Sequence, residues 1–232
     1  MLNITSSTSD EARPIFAPTQ LSSYRLALVQ RLLTMCSHDT YDNVVDFQWY
    51  LSVLLDLTYV ASVKVGQQIK DQLVDIVARV RGIKRWAVEL MTRLVRDDAF
   101  LANAQEEGSC AEVLWAAAWI CGENSRWCTS SLSASGRYNN LPDREIAEPQ
   151  KLLPHLLQPN VLLLAPETIG TYLHAAVKLF SAWSMELSQN WDNDKMQEVR
   201  EVVDTLISRL KTFTSHSEIE VQERVRQMDA FL

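Results

Sequence analysis

The side chains that could perform chemistry in this sequence are few and scattered. His38, His155, His174 and His216 are spread through the chain, and Cys36, Cys110, Cys121 and Cys128 stand at irregular spacings. Cys36-Ser37-His38 and the Cys121/Cys128 pair look like halves of a metal site, but neither has a second pair at zinc-ligand spacing. Asp97-Asp98 and Glu106-Glu107 could pair for acid–base work, yet both fall near helix ends or loops, where solvated charge is the ordinary role. No phosphate-cradling glycine loop, G-x-S-x-G elbow or H-E-x-x-H string occurs. The expectation is therefore no catalytic residue, no metal ligand, no bound cofactor and no enzyme.

Two groups of residues are better suited to touching a partner. Arg79, Arg81, Lys84 and Arg85 gather where two helices meet, and such a cluster can bind a carboxylate or a lipid headgroup. The competing reading is that Arg79 and Arg81 simply offset the dipole of a helix C-terminus. Among the seven tryptophans, Trp86 and Trp191 lie beside charged residues and are the candidates for contacts, whereas Trp183 falls on an apolar stripe and belongs to a core.

The elements that must position these residues are helices. Of the 232 residues 47% are hydrophobic, with only 6 Gly and 7 Pro, too few turn formers for a sandwich or barrel. Apolar residues recur at helical spacing from residue 21 onward. Leu21, Leu28, Val29, Leu32 and Cys36 are expected to share one face of a first helix. Phe47, Tyr50, Leu51, Leu54 and Leu57 mark a second, with Asn43 as its N-cap. A third carries Val65, Ile69, Leu73, Ile76, Val77 and Val80; a fourth, Ile83, Ala87, Leu90, Met91 and Leu94. A capping box of Ser109 and Glu112 opens a fifth, striped by Val113, Leu114, Ala117 and Cys121 and stopped by Gly122. A sixth covers about 150–157. A seventh begins at Pro166 and includes Ile169, Leu173, Ala176, Phe180, Trp183 and Leu187. An eighth carries Met196, Val199, Val203, Leu206, Leu210 and Phe213. A second capping box, Ser217 and Glu220, starts a ninth with Val221, Val225 and Met228 inside and a Glu220–Arg224 pair outside.

Nine amphipathic helices with short turns predict an all-α fold, an α-α superhelix of the HEAT/armadillo kind. Antiparallel pairs stack because each leaves apolar surface that only the next can cover. Residues 1–20 read as a flexible N-terminal arm, 21–232 as the helical solenoid, and about 124–149 as a flexible insertion. A solenoid cut from its neighbours exposes apolar ends, so low solubility or self-association is expected of the isolated chain.

Charge narrows the partners. Lys+Arg total 22 against 29 Asp+Glu, a net −7 that disfavours nucleic acid. The first twenty residues lack the cationic start and apolar run of a signal peptide, no run approaches membrane-spanning length, and the cysteines read as buried thiols of a reducing compartment. A cytoplasmic protein is expected.

Three strings carry a resemblance. Residues 46–60 read DFQWYLSVLLDLTYV, preceded by MCSHDTYDNV at 35–44; residues 112–123 read EVLWAAAWICGE; residues 218–225 read EIEVQERV. In this order and at these distances they resemble the large-chain adaptins, the delta group of adaptor complex three above all, over roughly residues 22–230 and in the later part of the trunk. The resemblance implies a non-enzymatic scaffold subunit of a vesicle coat, assembled with a small, a medium and a second large chain. It implies peripheral attachment to Golgi or endosomal membranes, and transport toward the lysosome or vacuole. It implies recruitment by an Arf-family GTPase and lipid headgroups, for which no residues here can be matched. The sequence is far shorter than a whole delta chain, without its early trunk, hinge or appendage, so a fragment or truncated product is expected. A generic HEAT-repeat scaffold, such as a nuclear-transport or phosphatase regulatory subunit, is the alternative.

Overall fold

The computed structural model describes residues 21–128, 148–189, 191–193 and 195–231. Residues 1–20 and most of the expected 124–149 insertion lie outside the described residues. Ten α-helices and no strand occur among the described residues. They are α1 (Ser22–Ser37), α2 (Phe47–Val60), α3 (Gly66–Arg79), α4 (Lys84–Val95), α5 (Asp98–Ala102), α6 (Val113–Glu123), α7 (Pro149–Leu156), α8 (Pro166–Gln189), α9 (Lys195–Phe213) and α10 (Ile219–Phe231). The helix beyond the nine expected is α5, a single turn and a half.

The packing pattern is that of a stack. One row consists of α1, α3, α6, α8 and α10, each packed on the next; the other consists of α2, α4, α7 and α9, likewise in succession. Cross-links run from α2 to α3, α4 to α6, α7 to α8 and α9 to α10. No substantial contact joins the α1 end to the α10 end among the described residues, so the helices form an open solenoid rather than a closed bundle.

The apolar stripes explain the order. Ile69, Leu73 and Ile76 of α3, and Met91 and Leu94 of α4, are wholly buried. Between the layers, α6 has eight of its residues buried, among them Ala116, Ala117 and Ala118, and is apolar around nearly its whole circumference. The short alanines let α3, α4 and α8 all approach it. Polar ties reinforce the first layers: Tyr50 of α2 donates its hydroxyl to Gln72 Oε1 of α3, whose Nε2 donates to the Leu33 carbonyl of α1 at 3.2 Å. At the far end Arg209 of α9 donates to the Pro154 carbonyl of α7, and Lys178 of α8 pairs with Glu123 of α6.

Several local expectations change. Asn43 does not cap α2; its amide donates to the Met35 carbonyl at 2.9 Å, and Asp46 takes the cap by accepting from Gln48 N and Trp49 N. Glu112 forms no side-chain cap on α6, because a turn at 111–112 precedes the helix. At α10 it is His216 Nδ1 that accepts from Glu218 N, while Gln222 reaches back to the His216 carbonyl. Gly122 lies inside α6, not at its stop. In α1 the buried residues are Val29, Leu33 and Cys36, and Leu21 and Leu28 face solvent. In α9 Val202, not Val203, is buried. The first residues of the expected insertion are well packed: a 3-10 turn, Ser125–Cys128, follows α6, and both Asn124 and Cys128 are buried.

Candidate interaction surfaces

No group of three His, Cys, Asp or Glu side chains converges on a possible metal position among the described residues. All four cysteines are free thiols buried in the core. Burial pushes the Cys121 thiol up to about 12, and raises Cys110 and Cys128 as well. Cys121 also lies 3.7 Å from the Thr92 hydroxyl, and Cys110 donates to the Val63 carbonyl, so these are packing residues and not nucleophiles.

Of the carboxylate pairs, Asp97 and Asp98 engage neighbouring groups, while Glu106 and Glu107 are exposed. Asp97 caps α5 by accepting from Phe100 N at 2.9 Å, and its other oxygen accepts the Tyr59 hydroxyl at 2.9 Å. The Tyr59 ring meets Phe100 edge to face at 5.3 Å. These residues, with Glu106 and Glu107, line an open cleft of about 380 Å³. Gly108 also lines it, with a φ of +82°, and a Cβ there would stand 2.8 Å from the Ser62 carbonyl oxygen. Asp98 approaches His155 Nδ1 at 3.6 Å.

The cationic cluster lies at the α3–α4 turn. Arg79 pairs with Asp75 and Arg85 with Glu89, each one helical turn apart. Arg81 is exposed and Lys84 is half-buried. Trp86 is half-buried against the core, with its indole nitrogen enclosed. Trp191 is half-exposed beyond α8, two layers further along the stack, so the fold does not bring it to the cationic turn.

The fold places two further apolar features at the surface. On α6, Trp115 and Trp119 stack in parallel, 6.3 Å apart with an 8° interplanar angle, and Lys70 of α3 lies 5.0 Å above the Trp115 ring. Their four-residue spacing announced the shared face; nothing local announced the lysine. On α1, Leu21, Tyr24, Leu28 and Met35 are all about half-exposed. Their spacing of three, four and seven residues is the available signal, since it marks a second apolar stripe beside the buried one.

An open stack of helix pairs among the described residues defines the class of fold, an α-solenoid. The family model described as "Adaptin N terminal region" matches residues 6–232, and the chain belongs to that family. It is 32% identical over 203 residues to the AP-3 complex subunit delta-1 of Bos taurus, covering 88% of this chain and 15% of that protein. It is 28% identical over 220 residues to the AP-3 complex subunit delta of Dictyostelium discoideum, covering 87% of this chain and 18% of the relative. The chain thus spans less than a fifth of the length of either. Its fold is similar to a chain in a homology model of the full-length AP-3 complex in an intermediate open conformation, with a TM-score of 0.65 at 23% identity over 99% of this chain and 35% of that one. No helix among the described residues is long and apolar enough to cross a membrane.

Proposed function

We propose that this chain is a non-enzymatic scaffold segment of a vesicle-coat adaptor of the AP-3 type. It builds a rigid helical support for a small, a medium and a second large chain. Through that assembly it works in the cytoplasm, peripherally on Golgi or endosomal membranes, in transport toward the lysosome or vacuole. The observation that carries the reading is the family match across residues 6–232, together with relatives that are AP-3 delta subunits. An open solenoid is suited to the task, because it presents long faces to other polypeptides. The alternative of a nuclear-transport or phosphatase scaffold has no such match in its favour.

Contacts through the α3–α4 turn are part of this proposal. Asp75 and Glu89 already engage Arg79 and Arg85, which leaves Arg81 and Lys84 as the cations with no ion pair among the described residues. Trp86 supplies the apolar edge of the same patch, and Trp191 a separate contact. The experiment is affinity purification of the tagged chain from its own cells with mass spectrometry. Small, medium and second large adaptor chains are expected in the eluate, and less of them with the double variant Arg81→Glu/Lys84→Glu. Phosphatase catalytic subunits or import cargo in their place would overturn the reading.

A further inference from the structure

A cleft inside the stack separates the end of α2 from α5. Thr58, Tyr59 and Ser62 form one wall, and Asp97, Phe100 and the 103–109 segment form the other, around a volume of about 380 Å³. The two walls are tied to each other. The Tyr59 hydroxyl donates to Asp97 Oδ2 at 2.9 Å, and the Tyr59 ring meets Phe100 at 5.3 Å. The cleft is thus made by the way one helix pair meets the next, at a junction within the stack rather than on an end face.

Two properties of the lining select an occupant. The first is charge. Asp97, Glu106 and Glu107 line the cleft, and among the described residues no Lys, Arg or His does. Lys64 and Arg96 are close in the chain but outside the lining. Each oxygen of Asp97 accepts one bond, from Phe100 N or from Tyr59, and keeps capacity for another. Glu106 and Glu107 are exposed and make no ion pair among the described residues. The second property is the aromatic wall: Tyr59 is 46% exposed, its ring held in place through its own hydroxyl.

A cation that reaches a ring face and several carboxylates is attracted by both. A metal ion does not suit the site, because no three carboxylates converge on a single point among the described residues. An anionic lipid surface would be repelled. A guanidinium is planar and weakly hydrated, and it can stack on a ring while donating to carboxylates at its edge, which an ammonium cannot do. Ser62, Asn103 and Ser109 of the same cleft add hydrogen-bonding groups suited to the main chain on either side of such a residue.

We propose that the α2–α5 cleft receives an arginine side chain carried on an extended segment of another polypeptide. Its guanidinium lies against Tyr59 and donates to Asp97, Glu106 and Glu107. The inference goes beyond membership of a coat assembly, because it rests on this cleft alone.

The test titrates the isotope-labelled full chain with three capped Ser/Ala peptides, identical except for Arg, Lys or Glu at the centre. The amide resonances of Phe100, Asn103 and Gly108 report binding at the cleft. The Arg peptide is expected to shift them saturably, about five-fold tighter than the Lys peptide, with the Glu peptide inert. Glu106→Gln/Glu107→Gln, at exposed positions that leave the melting curve unchanged, should weaken the Arg peptide about ten-fold. Glu198→Gln/Asp204→Asn removes the same charge from exposed positions of α9 and should leave its affinity unchanged. Tyr59→Leu should narrow the preference for Arg over Lys, a change that loss of folding cannot produce. Equal affinity for the Arg and Glu peptides would overturn the proposal. So would an equal loss in the two double variants, which would mean attraction to net charge alone. A discrete dimer in sedimentation that Glu106→Gln/Glu107→Gln abolishes would also overturn it, since a second copy would then fill the cleft.

Discussion

Gly122 of α6 lies so close to Ala175 of α8 that a Cβ on the glycine would stand 2.9 Å from the alanine Cα and 3.0 Å from its Cβ. The glycine is inside a helix, where alanine would ordinarily be favoured by about 1 kcal/mol. Here the intruding methyl meets backbone, which cannot rotate away, and overpacking of this kind costs about 1–3 kcal/mol. The net cost is then up to about 2 kcal/mol, so Gly122→Ala should lower the melting temperature by up to several degrees, given roughly 2–4 °C per kcal/mol for a chain of this size. Gly122→Val should lower it further. Thermal melts followed by circular dichroism check this, and a stabilised Gly122→Ala would show that the two helices stand further apart.

The same glycine shows where sequence reading succeeds and where it stops. The period that placed Ile69, Leu73 and Ile76 on one face is local to a helix, and those residues are buried as expected. Gly122 looks like a helix stop, because the partner that demands it, Ala175, is far away in the chain. In α1 the apolar arc is wider than one neighbour can cover, and composition alone cannot say which half α3 takes. Periodicity groups Leu21 and Leu28 with Val29, Leu32 and Cys36; the fold buries Val29 and Cys36 as expected, adds Leu33, and leaves Leu21 and Leu28 exposed. The turn and a half of α5 was invisible because it is held by the Asp97 side chain and, across the fold, by Tyr59. Of the candidate contacts, the Asp75–Arg79 and Arg85–Glu89 pairs were legible as four-residue spacings, whereas the distance in the stack between Trp86 and Trp191 was not.

Asp97 serves two partners at once, the Phe100 amide and the Tyr59 hydroxyl. Asp97→Ala should cost about 1–2 kcal/mol through loss of the cap, plus a smaller amount for the tyrosine bond. Tyr59→Phe alone should cost about 0.5–1 kcal/mol. Because they share a bond, the two losses should be less than additive in the double variant. Chemical denaturation of all four proteins measures the coupling, and strict additivity would mean that the hydroxyl contact contributes nothing.

Acid should weaken this fold through His155 and His174. Burial is the main cause that lowers His155 below its ordinary value of 6.5, with Arg96 and Arg209 acting in the same direction against Asp98. Burial likewise lowers His174, helped by Lys178 and Arg224 against Glu123. Since the unfolded chain binds these protons more readily, stability is full above pH 6.5 and falls as the pH drops toward the lower folded values. Denaturation midpoints measured from pH 8 to about pH 5 should decline, and less so in His155→Gln. An identical decline in that variant would assign the pH dependence to other groups.

A charge at Trp119 tests how deeply the α6 tryptophans are set. Were Trp119 fully buried, Trp119→Asp would place an unpaired charge in the core and unfold its repeat. In the fold Trp119 is only half-buried, and its ring lies parallel to Trp115 on the surface side of α6. An aspartate there keeps contact with water, so the loss is the parallel stack, about 0.5–1.5 kcal/mol, and part of the roughly 3–5 kcal/mol that truncating a fully buried tryptophan costs. Trp119→Asp should accordingly shift the urea midpoint downward while keeping one cooperative transition and nearly all the helical signal. Trp119→Phe should recover most of the shift, because a ring remains over Trp115. A native baseline already missing the helicity of α6 and its neighbours would mean that the side chain is a core residue after all.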